Sequence, residues 1–234
     1  MRVCAVIPAY NEENHIGPVI EGVKPFVQTV LVVDDGSRDR TGEIARAAGA
    51  EVLTHNPNQG KGISLRDGLS WGVDHGFDAM IALDADGQHL PAELPRFVTA
   101  LQGGADLVVG NRMDDVATMP WVRKATNRFM SWLVSRLART GIPDTQCGYR
   151  GMTAGAWASL SRACDTGGFD FESDMLIQAG RMGMRLASVP ISTIYGTEVS
   201  KIDPVADTIR FFRMVGRKWR MADPEPYRRP RSMH

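Results

Sequence analysis

The sequence predicts an α/β fold built on a mostly parallel, open sheet with helices on both faces. Two observations carry this: short β-branched runs alternate with helix-period segments through the first half, and acidic, polar residues follow directly on the apolar runs. The strand candidates are Val3 to Ile7, Val30 to Val33, Glu51 to Leu53, Met80 to Leu83 and Leu107 to Val109. Helices are expected around His15 to Lys24, Thr41 to Ala48, Ile63 to His75 and Pro91 to Leu101. Pro18 is tolerated only in a first turn, so the first helix starts near His15. Asp39 caps the second and Gly49 closes it. The later half reads as a long helix from Trp121 to Arg139, a loop from Gly141 to Arg150, a helix near Glu172 to Met182 and a last amphipathic segment.

With 234 residues, 43% hydrophobic and 23% charged, the chain can bury a substantial core. Cys4, Cys147 and Cys164 are odd in number and far apart, which excludes a disulfide framework or a cysteine zinc site and makes a reducing compartment the expectation. The formal charge of zero hides an asymmetry: residues 1–110 carry 15 acids and 8 bases, residues 111–234 carry 12 and 19. An acidic front half suits a cation, and a basic back half suits an anion. No run of about 18 apolar residues exists to span a bilayer, and the short run Val3 to Ile7 lacks the shape of a signal peptide.

In open α/β sheets ligands bind beyond the carboxyl ends of the strands. Here three strand ends read Pro8-Ala9-Tyr10-Asn11-Glu12, Asp34-Asp35-Gly36-Ser37 and Asp84-Ala85-Asp86-Gly87-Gln88-His89. If the backbone stays extended, Asp84 and Asp86 project to the same side, and Gln88 continues the series. Such hard oxygen ligands suit Mg²⁺ or Mn²⁺; the alternative is a pair of solvated turn acids. Asp35 is expected to accept hydrogen bonds from a ribose or a base. Lys61, in the glycine-flanked loop Asn58-Gln59-Gly60-Lys61-Gly62, can approach a phosphate, although the spacing is not that of a nucleotide triphosphatase loop. Arg112 follows another strand end. Arg123, Asn127 and Arg128 fall at i, i+4 and i+5 on the long helix, where with Arg112 they form a candidate anion clamp. His15, His55 and His75 have no ligand spacing, and Cys147 reads as a buried filler.

The blocks VIPAYNEE, VVDDGSRDRT, NQGKG, LDADGQH, GNR and TQCGYR, in this order, resemble the inverting family 2 glycosyltransferases of GT-A fold, over residues 3 to about 202. The chain is most similar to the dolichol-phosphate mannose synthase and dolichyl-phosphate glucosyltransferase group. The resemblance implies a catalytic domain over residues 1–202 that moves a hexose from a nucleoside-diphosphate sugar, of GDP-mannose or UDP-glucose type, to a polyprenyl phosphate. It implies that Pro8, Tyr10, Glu12, Asp35, Lys61, Asp84, Ala85 and Asp86 meet the nucleotide sugar. Asp84, Asp86 and Gln88 would hold Mg²⁺ or Mn²⁺, and His89 would stand near the donor phosphate. Arg112, Arg123, Asn127, Arg128, Ser200 and Lys201 would meet the acceptor phosphate. Asp144 matches the aspartate that acts as base in relatives with hydroxyl acceptors; here orientation or weak base duty is expected. Glu172 and Asp174 either contact the sugar or cap the helix that follows. A soluble hydroxyl acceptor, or a catalytically silent nucleotide-sugar binding module, are the rival readings.

From Val205 to Arg220, Val205, Ile209, Phe212, Val215 and Trp219 share one side of a helix, with Arg210, Arg213, Arg217 and Arg220 beside them. Residues 203–222 are therefore expected to lie on an anionic membrane surface, the alternative being an ordinary helix packed on the domain with its arginines in water, and 223–234 to form a disordered tail. Relatives often carry transmembrane helices after the catalytic domain. This sequence shows none, so peripheral association at the cytoplasmic face is the expectation, with a separate membrane subunit as a candidate partner and no nucleic acid.

Overall fold

The computed structural model describes residues 1–113, 121–168, 170–192 and 204–229. Its centre is a seven-stranded sheet in the order β3-β2-β1-β4-β6-β5-β7. The strands are β1 (Val3–Ala9), β2 (Thr29–Asp34), β3 (Glu51–Thr54), β4 (Ala79–Ala82), β5 (Leu107–Asn111), β6 (Arg150–Thr153) and β7 (Leu186–Pro190). β6 runs antiparallel to both its neighbours, and every other pairing is parallel. All five expected strands are present. Those of β1, β2 and β4 are buried on both sides, as continuous apolar runs require, each valine, leucine or isoleucine contributing about 1.5–3 kcal/mol.

The helices are α1 (Ile16–Val23), α2 (Thr41–Ala47), α3 (Lys61–Asp74), α4 (Leu94–Gln102), α5 (Trp121–Ala138), α6 (Ala154–Ala163), α7 (Phe171–Arg181) and α8 (Pro204–Arg220). α1 buries Ile16, Val19, Ile20 and Val23, a stripe at helical spacing, with Pro18 in its first turn. Asp39 lies one residue before the N-cap of α2, yet its carboxylate accepts from the Thr41 amide at 3.0 Å, and Gly49 closes the helix at φ +80°.

α6 and β7 were not among the expected elements, and two others depart from expectation. The segment read as a loop up to Arg150 runs into β6, whose Gly151 has no side chain because Leu101 and Phe97 of α4 cross it. In α8 the buried face is Phe211, Met214, Val215 and Lys218, so the expected apolar stripe splits: Val215 turns inward while Phe212 and Trp219 stay exposed beside Arg210, Arg213, Arg217 and Arg220. The reason is electrostatic: Lys218 Nζ stands 2.8 Å from both Asp165 and Asp174, which rotates the helix toward them. Within the stretch expected to be a disordered tail, Asp223–Arg229 make contacts with the rest of the chain. Asp223 pairs with Arg139 at 2.7 Å, the Tyr227 amide donates to Met182 O, and Arg229 pairs with Asp106 at 2.8 Å. Among the described residues no helix is long and apolar enough to cross a membrane.

Candidate functional site

The register fixes the site. Ala9 of β1 lies opposite Asp34 of β2, and Val6 opposite Ala82 of β4, so the three acidic segments leave the sheet side by side. The first is a turn in which Asn11 takes φ +54° and bonds the Ser37 and Arg38 segment from both backbone and side chain. Glu12 donates its amide to Thr41 Oγ1, and its carboxylate meets His15 Nδ1 at 3.0 Å. Pro8 and Tyr10 are half-buried on the same edge.

Asp35 is almost sealed from solvent. Its carboxylate accepts from His55 Nδ1 at 2.8 Å, the Gln59 amide at 2.9 Å and the Gly60 amide at 2.7 Å. It thereby ties down the loop that leads into Lys61. His55 also faces Asp67 at 3.1 Å, so it has the partners that its sequence position did not suggest. His15 and His75 are likewise bonded, to Glu12 and to Trp71 O.

Asp84 and Asp86 are not joined by extended backbone: β4 ends at Ala82, and Ala85 and Asp86 lie in a turn closed by Gly87 at φ +75°. Asp86 Oδ1 accepts from the Gln88 amide at 3.0 Å, which folds the loop back on itself. Antiparallel pairing of β4 with β6 brings Gly148 opposite Asp84. A Cβ there would stand 2.5 Å from Asp84 Oδ2, so only glycine leaves the carboxylate its place. Lys61 Nζ lies 2.7 Å from Asp84 Oδ1 and 3.3 Å from Glu172 Oε2. Burial would raise the Asp84 pKa, but the Lys61 ammonium outweighs it, with His89 and Arg112 adding to the effect, and holds it at about 2. Burial pulls Lys61 down, yet Asp84 and Glu172 together leave it raised. His89 is buried behind Asp84, its ring nitrogen 3.3 Å from the Asp84 amide, and burial lowers its pKa. Its ring supports the Asp84 loop from behind.

Arg112 and Asp144 form a buried bidentate pair: Nε–Oδ2 is 2.7 Å and Nη2–Oδ1 is 3.0 Å. Asp144 also accepts from the Arg112 and Gln146 amides, and its side chain has no solvent exposure. The expected anion clamp is only partly assembled. Asn127 is buried whereas its neighbour Arg128 is exposed, so the two face different ways. The Arg123 side chain, Ser200 and Lys201 lie outside the described residues. Cys147 is fully buried, which pushes its thiol up to about 12. Arg150, which the sequence did not single out, is almost wholly buried and donates to Thr145 O, Cys147 O and Glu172 O, binding the Asp144 segment to the start of α7.

Among the described residues no three acidic, histidine or cysteine side chains form a metal cluster. Asp84, Asp86 and Gln88 offer two carboxylates and an amide, a hard-oxygen set that suits Mg²⁺ or Mn²⁺ when a ligand's phosphates complete the shell. The ionised Asp84 carboxylate, seated against Gly148, suits such an ion.

Comparison with known proteins gives the family and the fold. An undecaprenyl-phosphate mannosyltransferase of Micrococcus luteus is 35% identical over 207 residues, covering 83% of this chain and 84% of that protein. A polyprenol monophosphomannose synthase of Mycolicibacterium smegmatis is 31% identical over 204 residues, covering 82% and 77%. The crystal structure of glucosyl-3-phosphoglycerate synthase from Mycobacterium tuberculosis superposes with a TM-score of 0.73 at 21% identity, over 95% of this chain and 81% of that one. The family model for glycosyl transferase family 2 matches residues 4–163. With its acidic strand ends and this sheet order, the chain belongs to glycosyl transferase family 2 and has the GT-A fold.

Proposed function

We propose that the chain is an inverting hexosyltransferase that takes a hexose from a nucleoside diphosphate, of GDP-mannose or UDP-glucose type, and passes it to a polyprenyl phosphate. Relatives at 35% and 31% identity are named for that acceptor class. The observation that carries the reading is the Arg112–Asp144 pair. A carboxylate closed off from solvent and clamped in two places is poorly placed to deprotonate a hydroxyl acceptor. A phosphate oxygen is already an anion at neutral pH and needs positioning instead, which a guanidinium held rigid by Asp144 supplies.

The remaining residues divide the donor between them. Pro8, Tyr10, Glu12 and Asp35 frame the nucleoside, Asp35 chiefly by holding the loop from Asn56 to Gly60. Lys61 and the Asp84-Ala85-Asp86 turn face the diphosphate. Asp84, Asp86 and Gln88 would hold Mg²⁺ or Mn²⁺, and a cation bound there would supply Lewis-acid stabilisation of the leaving diphosphate. A glucosyl-3-phosphoglycerate synthase of the same fold was crystallised with Mn²⁺ and uridine diphosphate. One in-line displacement by the acceptor oxygen inverts the anomeric centre. Arg112, Arg123, Asn127, Arg128, Ser200 and Lys201 remain the proposed acceptor contacts.

The acceptor places the reaction at a membrane surface, and α8 carries a matching outer face. Phe212 and Trp219 are exposed among Arg210, Arg213, Arg217 and Arg220, a composition suited to anionic headgroups. α5, packed against α8, exposes Trp121, Phe129 and Trp132 as well. Peripheral attachment at the cytoplasmic face follows, with a separate membrane subunit as a further candidate partner.

Incubation of the purified chain with Mn²⁺, radiolabelled GDP-mannose or UDP-glucose and polyprenyl phosphate is expected to give organic-soluble label. Label transferred only to soluble alcohols would replace the lipid acceptor with a hydroxyl one. Donor binding without any transfer would leave a nucleotide-sugar binding module.

A further inference from the structure

We infer that Lys61 is an exchangeable counterion: it occupies Asp84 while the donor site is empty and must leave that carboxylate when a divalent cation arrives. The inference rests on the proposed cation site at Asp84, Asp86 and Gln88.

The geometry has three parts. Lys61 Nζ sits 2.7 Å from Asp84 Oδ1, so the ammonium stands where a cation bound to that oxygen would be crowded by it. Two cationic centres sharing one carboxylate oxygen repel strongly in a half-buried site. Lys61 therefore either leaves Asp84 or keeps the ion off it. It has a second berth: Glu172 Oε2 is 3.3 Å away, and the other oxygen, Oε1, is buried without a hydrogen bond, its nearest cation being Arg150 Nε at 3.5 Å. Glu172 thus has acceptor capacity to spare for an ammonium that moves.

The backbone around Lys61 is fixed, whereas the side chain has two carboxylates within reach. The Gly60 amide is bonded to Asp35, and Gly62 is pressed against the Gly167 and Gly168 carbonyls so closely that no Cβ fits. The side chain itself is about a quarter exposed. Exchange then needs only side-chain rotation from Asp84 toward Glu172, or toward the donor's diphosphate once that is present. Lys61 would keep Asp84 ionised and in place before binding, oppose binding of a bare cation, and join the leaving diphosphate when cation and donor arrive together. Its effects on cation affinity and on turnover are therefore opposite in sign.

The test is Mn²⁺ binding to the donor-free full chain, read by electron paramagnetic resonance. Lys61→Met is expected to bind Mn²⁺ about threefold to tenfold more tightly than the native chain, while Lys61→Arg, which keeps the charge, stays close to native. In the same preparations Lys61→Met is expected to lose transfer activity. Unchanged or weaker Mn²⁺ binding by Lys61→Met would overturn the inference. Asp84→Ala separates the two levels: if it does not weaken Mn²⁺ binding, the cation site itself is misassigned. If Asp84→Ala weakens binding and Lys61→Met does not strengthen it, only the counterion role fails. A measurement on the native chain covers a variant that misfolds. With ¹⁵N-lysine labelling, the Lys61 ammonium resonance is expected to shift on Mg²⁺ addition without donor, and an unmoved resonance under saturating Mg²⁺ would show that the ammonium never leaves Asp84.

Discussion

Glu172 and Asp174, two residues apart in the first turn of α7, hold two different lysines: Glu172 Oε2 lies 3.3 Å from Lys61 Nζ, and Asp174 Oδ1 lies 2.8 Å from Lys218 Nζ of α8. One helix start therefore anchors both Lys61, beside Asp84, and the C-terminal helix.

The Lys218 side of this arrangement is fully buried. Removing the ammonium leaves Asp174 without its cation in a site with no access to water. Lys218→Met is expected to destabilise the fold by about 3–5 kcal/mol in denaturant unfolding, with partial recovery when Asp174→Asn is added. Equal stability of Lys218→Met and the native chain would mean that apolar packing alone holds α8.

At Gly148 the expected defect lies in function more than in folding. An alanine Cβ would stand 2.5 Å from Asp84 Oδ2 and 3.1 Å from Oδ1, so the carboxylate must move. Gly148→Ala is expected to lower transfer activity about 10- to 100-fold, while costing about 1–3 kcal/mol in stability. Native kinetics in this variant would show that the Asp84 position is not critical.

The Asp84 carboxyl sets a pH dependence with a defined sign. Its pKa is lowered in the folded chain to about 2 from the ordinary 3.8, so the native state holds its proton less tightly than the unfolded chain. Its contribution to stability is complete above about pH 4 and is lost as the pH falls toward about 2. Thermal unfolding of the native chain and of Asp84→Asn is expected to show a gap that narrows over this interval. A gap independent of pH would contradict the Lys61–Asp84 interaction.

Thiol chemistry offers a simpler check. Burial pushes Cys4 and Cys147 up to about 12 and raises Cys164 as well, so all three stay protonated and shielded at pH 8. A disulfide reagent at that pH is expected to leave the native chain unlabelled and to titrate three thiols after denaturation. Rapid labelling of a native cysteine would reveal local opening.

Flotation on anionic vesicles tests the outer face of α8. Arg213 and Arg220 are exposed, so Arg213→Glu with Arg220→Glu should leave the fold intact. At about 1 kcal/mol per basic residue near the surface, the pair is expected to reduce vesicle binding about tenfold or more. Unchanged flotation would remove this face from membrane attachment.

Much of the acidic sheet edge was legible because it is local. Apolar runs ending in Asp34-Asp35 and Asp84-Ala85-Asp86 identify strand ends, and a parallel sheet brings such ends together. The parts that escaped depend on long-range pairing. β6 carries a glycine and an arginine in four residues, a weak strand signal that only its place between β4 and β5 makes sense of. The rotation of α8 is set by Asp165 and Asp174, some fifty residues away, so its periodicity alone grouped the buried Val215 with the exposed Phe212 and Trp219. His55 looked idle until the fold brought Asp35 and Asp67 to its two nitrogens.

The reversed direction of β6 has a consequence for redesign. The stretch leading into it carries Asp144, which clamps Arg112, and four residues later Gly148, which makes room for Asp84. A single insertion between them would shift both contacts at once. α5 shares in this stretch, since its Ser131 accepts from the Thr145 amide at 3.0 Å and its Ser135 from the Ile142 amide at 3.0 Å, so a substitution at either serine is expected to reach the Asp144 contact as well.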